Sequence, residues 1–177
     1  MAQQRDQRKG RGRGRDHRDE PKEFEERVLE LARVTRVTKG GKRMRFRATV
    51  VIGDRKGRVG FATEKGADVA LAVGKAARAA KKKLITVPLV EETIPHEVHE
   101  KFAAAKILLK PAPTGTGVKA GGAMRVVLEL AGVPNVVGKQ LGAANKINNV
   151  KAVMNALKSL RRPSPKAVRP EAEAAAA

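Results

Sequence analysis

The sequence predicts an α+β chain built as two successive units between a basic N-terminal arm and a short tail. Three observations carry that expectation. Hydrophobic spacing switches from a helical period to alternation at Val34, then returns to a helical period near Asp68, Ala123 and Asn148. One strand, Arg43 to Ile52, is apolar on one face and basic on the other. Glycine and proline punctuate the rest into pieces of strand and helix length. The expected divisions are an arm at 1–22, an α-β-β-β-α unit at 23–84, an α/β sandwich unit at 85–162 and a tail at 163–177.

The arm holds eight basic residues, four acidic ones and three glycines, with nothing apolar between Ala2 and Phe24. Such a segment has no core to bury, so it is expected to be disordered and free to order against phosphates. Phe24, Val28, Leu31 and Ala32 then recur at helical spacing. Glu23, Glu25 and Glu26 fall in what would be the first turn, where a helix dipole favours acid. A helix ending near Arg33 is therefore predicted. From Val34 the pattern is that of strands, with Gly40-Gly41 as a hairpin turn. Met44, Phe46, Ala48, Val50 and Ile52 share one face of the next strand. Arg43, Arg45 and Arg47 share the other, about 6.6 Å apart. The turn Gly53-Asp54-Arg55-Lys56-Gly57 leads to a third strand, Arg58 to Thr63, with Val59 and Phe61 inward. A helix from Asp68 to Leu84 carries a buried stripe of Val69, Val73, Ala76, Ala80 and Leu84. Beside it runs a basic stripe of Lys75, Arg78 and Lys82. At about 62 residues this unit would be marginally stable alone.

In the second unit, Ile85 to Val90 has strand composition, and Pro88 places it at an edge or a bulge. Val98 to Phe102 and Lys106 to Lys110 follow as strands. The glycine-rich run from Pro111 to Gly122 opens a helix, Ala123 to Ala131, and Gly132 supplies its stop. A strand from Val136 to Gln140 precedes the last helix, Asn148 to Arg162. Val150, Val153, Met154, Leu157 and Leu160 form its core stripe, and Lys151, Lys158 and Arg162 a basic one. Pro163 and Pro165 end it, and a Pro- and Ala-rich tail follows.

Charge narrows the function. The 177 residues carry 38 Lys+Arg against 18 Asp+Glu, a net charge of +20. That balance calls for a polyanion, nucleic acid first. An anionic membrane would want a basic helix with bulky apolar residues opposite. The chain has no Trp, no Tyr and four scattered Phe, and no apolar run near the ~20 residues of a membrane span. Its first residues lack the apolar stretch of a secretory signal. The same shortage of aromatics speaks against base-stacking single-strand binders. What remains is a reader of phosphates and folded shape. The absence of Cys excludes a disulfide framework, a Cys-ligated zinc site and a Cys nucleophile.

The acids are absent where the cations are regular. No Asp or Glu lies between Leu31 and Gly53, a block holding Arg33, Arg36, Lys39, Lys42, Arg43, Arg45 and Arg47. None lies between Glu129 and Glu171, a block holding eight Lys/Arg. Solvated faces usually mix signs, so both blocks are expected to face phosphates. Arg55, Lys56, Arg58 and Lys119 join them as candidates, beside the two helical stripes. Six phosphate contacts would make affinity fall roughly a thousandfold between 50 and 200 mM salt.

Two motifs invite other chemistry. Gly115-Thr-Gly117-Val-Lys-Ala-Gly121 is spaced G-x-G-x-x-x-G, without the G-K-[ST] of a phosphate loop. A glycine-rich opening to a helix still offers N–H groups to an anion, whether phosphate or carboxylate. His96 and His99 stand at i and i+3 after Pro95, not at the i and i+4 of a zincin helix, and are expected to be surface residues. No acid–base pair suits catalysis, so no enzyme activity, metal, cofactor or small-molecule substrate is expected.

Four stretches together resemble one family. They are Val37-Thr-Lys-Gly-Gly-Lys-Arg43, Gly53-Asp-Arg-Lys-Gly-Arg-Val-Gly-Phe61, Gly115-Thr-Gly-Val-Lys-Ala-Gly-Gly-Ala-Met-Arg125 and Asn145-Lys-Ile-Asn148. In that order and at those distances the chain resembles the bacterial fifth protein of the small ribosomal subunit, over about residues 24 to 160. The resemblance implies a first domain like a double-stranded-RNA-binding domain and a second α/β domain. It implies a cytoplasmic, ribosomal protein that binds small-subunit rRNA, steadies the head against the body, supports decoding accuracy and helps line the path by which mRNA enters. Its implied protein neighbours are the fourth and eighth small-subunit proteins. Arg33, Val34, Thr35, Gly40 and Gly41 match the hairpin that reaches the head–body neck and an antibiotic site. Gly115, Gly117, Gly121, Gly122 and Arg125 match the interface with the fourth protein. The segment Lys166 to Ala177 matches poorly the family's C-terminal segment that meets the eighth protein. Two other readings stay open at this stage: a free duplex-RNA-binding module, which would not need the second unit, and a phosphotransfer enzyme built on that unit.

Overall fold

A computed structural model describes residues 23–161; the expected arm, the tail and Arg162 lie outside that range. Strands β1 (Glu25–Thr38), β2 (Gly41–Gly53) and β3 (Arg58–Gly66) form an antiparallel sheet with α1 (Val69–Lys81) on one face. β4 (Ile85–Thr86) pairs with β3 and completes that sheet. The second unit adds β5 (Val98–Phe102), β6 (Ala105–Pro111), β7 (Val118–Lys119), α2 (Gly122–Ala131), β8 (Val136–Gly142) and α3 (Lys146–Ser159). Its sheet runs β5-β6-β8-β7, with β7 and β8 parallel and joined through α2.

The expected first helix is a strand. β1 pairs with β2 from Glu25↔Gly53 to Thr38↔Gly41, so thirteen partners hold it extended. A bulge between Val28 and Glu30 adds one residue, which breaks the alternation and leaves a spacing that mimics a helix. Val28 and Leu31, expected on a buried helical stripe, are 50% and 47% exposed. The first unit is therefore β-β-β-α with β4 appended. Ile85 and Thr86 close the first sheet rather than open the second.

The long hairpin overshoots the sheet. The last residue of β2 with a partner on β3 is Phe46, opposite Gly66, so Gly41 to Arg45 pair with β1 alone. That overhang explains Met44, which belongs to the apolar stripe yet is exposed. Further along β2, Ala48 to Gly53 are buried on both faces, as a run apolar but for Thr49 suits, and Thr49 bonds the Thr63 hydroxyl at 3.1 Å. Ala48, Val50 and Ile52 meet Ala72, Ala76 and Ala80 of α1 in a small core. Those alanines let the helix sit close. A Cβ at Gly60 would lie 2.6 Å from the Ala80 carbonyl oxygen, and one at Gly66 would lie 2.6 Å from the Ala72 nitrogen. α1 ends at Lys81, three residues before the expected Leu84, and the Asp68 carboxylate accepts from the Val69 N–H at its start.

On the opposite face, Val51 and Val59 enter a larger core that continues through α2 and α3 to Ile107, Leu109 and Val136 of the second sheet. The two units thus share their main core. At the seam, the turn between β2 and β3 caps α2. The Arg55 N–H donates to Leu130 O at 3.0 Å and the Gly57 N–H to Ala131 O at 2.9 Å, satisfying carbonyls a helix end otherwise leaves unpaired. Gly132 follows in the left-handed region at φ 76°, the expected stop. α3 begins at the Asn145 cap and buries its whole expected core stripe.

Candidate nucleic-acid interface

The hairpin overhang is the most cationic element. Arg33, Arg36, Lys39, Lys42, Arg43 and Arg45 are all exposed there, and none has a carboxylate within ion-pair reach among the described residues. Thr38 Oγ1 donates to the Gly41 carbonyl at 3.2 Å and steadies the tip beside Gly40. Cross-strand partners share a face, which puts Arg36 directly opposite Arg43 and Val34 opposite Arg45. Like charges in that position destabilise a hairpin. Arg36, Arg43, Arg45 and Lys65, with Val34 and Thr35, line one concavity. Arg43, Arg45 and Lys65 also line the next, together with Leu71 and Lys75 of α1. Lys75 in turn joins Arg78, Lys81 and Lys82 in a third. One basic surface therefore runs from the hairpin onto α1. Lys65 and Lys81 are its members that the sequence analysis missed; β3's alternation groups Lys65 with the inward Val59 and Phe61, and only its pairing opposite Arg47 sets it beside the β2 arginines.

Other candidates are occupied within the chain. Arg47 pairs with Glu30 at 3.1 Å and is half-buried. Arg55 pairs with Glu25 at 2.6 Å. Arg58 reaches Asp54 at 2.6 Å and Glu23 at 3.2 Å, and its guanidinium lies 5.1 Å from the Phe24 ring centroid. Burial would raise the Asp54 pKa, but donation from the Arg58 side chain, the Lys56 and Arg58 N–H groups and the Arg58 charge together hold it below the ordinary value. The Arg58 guanidinium is raised in return, chiefly by Asp54. Lys56 stays exposed beside them.

The glycine-rich segment is an open loop. Gly115 and Gly117 have positive φ, and a Cβ on either, or on Gly122, would meet nothing within 4 Å. The Gly117 N–H is not free for an anion: it donates to Asn135 Oδ1 at 3.1 Å. Gly121 caps α2 and packs against the Gln140 side chain. Arg125 donates to Glu129 at 2.7 Å, and Glu129 also accepts from Arg27 of β1 at 2.9 Å. The Arg125 hydrogen bond, with Arg27 adding, outweighs burial and lowers the Glu129 pKa. Arg125 is thus part of an ion chain across the two units, with its side chain still 59% exposed. Lys119 is exposed on β7. His96 accepts from the Arg161 N–H through Nε2 and lies 3.0 Å from the Glu97 carbonyl through Nδ1, while His99 reaches the Glu97 carboxylate.

Lys151 and Lys158 lie apart from the hairpin surface, at a cleft where α3 approaches β3, β4 and β5. A family model described as ribosomal protein S5, N-terminal domain, matches residues 24–88. A second, described as ribosomal protein S5, C-terminal domain, matches residues 100–169.

Proposed function

The chain belongs to the ribosomal protein S5 family, and from that membership we propose how it serves the small ribosomal subunit. Its role is that of a structural ribosomal protein. The hairpin overhang lies against small-subunit rRNA where head meets body, with Arg33, Arg36, Arg43 and Arg45 on phosphates. The observation that carries this is the unpaired cationic arm, with Arg36 set opposite Arg43. In the free chain that pairing is repulsive; against phosphates the same two charges are attractive. Lys65, Lys75, Arg78 and Lys82 extend the contact along α1. The open loop around Gly115 and Gly117 meets the fourth small-subunit protein through its backbone, since Arg125 is held by Glu129, and decoding accuracy is the property that contact serves. Contact with the eighth protein and a share in the path of incoming mRNA complete the reading.

The test is a double reversal, Arg43→Glu with Arg45→Glu. Both side chains are exposed and neither pairs with a carboxylate among the described residues, so the melting temperature should stay within a few degrees. The share of the protein that sediments with small subunits should fall several-fold. Normal incorporation would overturn the assignment.

A further inference from the structure

With four scattered Phe and no Trp or Tyr, the sequence carries no run of base-stacking side chains. Folding brings two of those four together. Phe61 of β3 and Phe102 of β5 meet Met154 of α3 in the cleft between the units. Lys83, Lys151 and Lys158 stand around it, and no carboxylate of the described residues lines it. None of the three lysines has an acidic partner among the described residues. Lys151 Nζ lies 5.0 Å from the Phe102 ring centroid, so one cation already sits on the ring that the cleft presents. Asn155 adds a carboxamide, both donor and acceptor. The space is about 400 Å³, within the range of small-ligand sites.

We propose that this cleft receives one unstacked nucleotide of an RNA strand, its base on Phe61 and Phe102 and its flanking phosphates on Lys83, Lys151 and Lys158. The proposal rests on the rRNA-binding reading above and adds a second mode to it. A nucleotide carries in one unit what the cleft offers: a flat apolar face, an edge for Asn155 and negative charge on either side. A free nucleotide fits less well, because the glycine-rich loop that usually cradles a terminal phosphate is missing from the lining. An acidic peptide would satisfy the lysines but would need a separate apolar side chain for the rings. A chain so poor in aromatics has no platform for a run of bases; it has one for a single base.

The full chain is titrated at fixed salt with two RNA duplexes, one fully paired and one with a single-nucleotide bulge. The bulged duplex should bind roughly tenfold more tightly, the gain expected of one stacked base. Phe102→Leu keeps apolar bulk and removes the ring; it should erase that preference and leave affinity for the paired duplex unchanged. A 4-thiouridine placed at the bulge should crosslink to the wild-type peptide carrying Phe102 or Lys151, which tests the site even if the variant folds poorly. Equal affinity for both duplexes overturns the cleft assignment and leaves RNA binding standing. Binding to neither overturns both readings. Displacement of the bulged duplex by micromolar adenosine monophosphate would assign the cleft to a small molecule. A bulge preference intact in Phe102→Leu, with loss of binding to an acidic Phe-bearing peptide, would assign it to a protein; either result overturns the proposal.

Discussion

At Asp54 a carboxylate whose side chain is 4% exposed accepts from the Lys56 N–H, the Arg58 N–H and Arg58 Nε at 2.8, 3.0 and 2.6 Å. Those bonds shape the turn that caps α2. Removing the carboxylate strands two backbone donors and the Arg58 guanidinium that pairs with it, so Asp54→Ala should cost about 2–4 kcal/mol in a chemical melt. Its pKa is lowered on folding, so its contribution is complete above the ordinary aspartate value of about 3.9 and fades as the pH falls further. Stability plotted against pH should drop in that acid range for the native chain, and less steeply for Asp54→Asn. An identical acid limb in both would show that the carboxylate is not the source. Arg47 marks what the sequence did not reveal at this scale. Alternation places it beside Arg45 on one face, and that much is correct. Its partner Glu30 lies on the strand that the spacing disguised as a helix, so nothing local distinguished a paired arginine from a free one.

Among the elements, those with a strong period were legible. The core stripe of α3, the alternation of β2 beyond its exposed Met44 and the glycine stop after α2 are where the spacing puts them; the α1 stripe holds only at Ala76 and Ala80, since Ala72 is buried while Val69 and Val73 are half-buried, and Leu84 lies past the helix end. The misses have a common cause, which is that pairing with distant strands decides them. β1 is specified by thirteen partners on β2 and not by its own bulged pattern. β4 and β7, two residues each, carry too little sequence to have a period at all. The seam between α2 and the first sheet was equally silent, although its residues were in view. Gly132 is both a helix stop and a point of contact: a Cβ there would lie 2.1 Å from the Arg55 carbonyl oxygen. Gly132→Ala adds that collision to the strain of a positive φ, and should cost at least about 2 kcal/mol. In a chain of this size that lowers the melting temperature by roughly 4–8 °C. A loss no larger than that of an alanine placed at Gly74, where the helix leaves a Cβ open space, would show that the seam yields freely.

For the whole molecule, the expectation of two units is met in topology but not in packing, because one core runs through both. Composition and charge spacing were enough to pick out the exposed cations of the β1–β2 hairpin, since both are properties of sequence. The cleft was invisible, since Phe61 and Phe102 meet only through tertiary structure. A chain cut after residue 88 would bare Val51 and Val59, which pack into the core beneath α2 in the intact protein. Such a fragment should bind a hydrophobic dye and exchange its β2 and β3 amides faster than the full chain does. Cooperative melting near the temperature of the intact protein would disprove this dependence. The capping of α2 by the β2–β3 turn also has a consequence in time. The donors on Arg55 and Gly57 are synthesised about 75 residues before Leu130 and Ala131 supply their acceptors, an interval of roughly 4–15 s at ordinary elongation rates. Throughout it the nascent chain carries a sheet with one apolar face bare and two amides unanswered. Those seconds are when a chaperone has its opening, and the protein finishes its first half only as its second half is made.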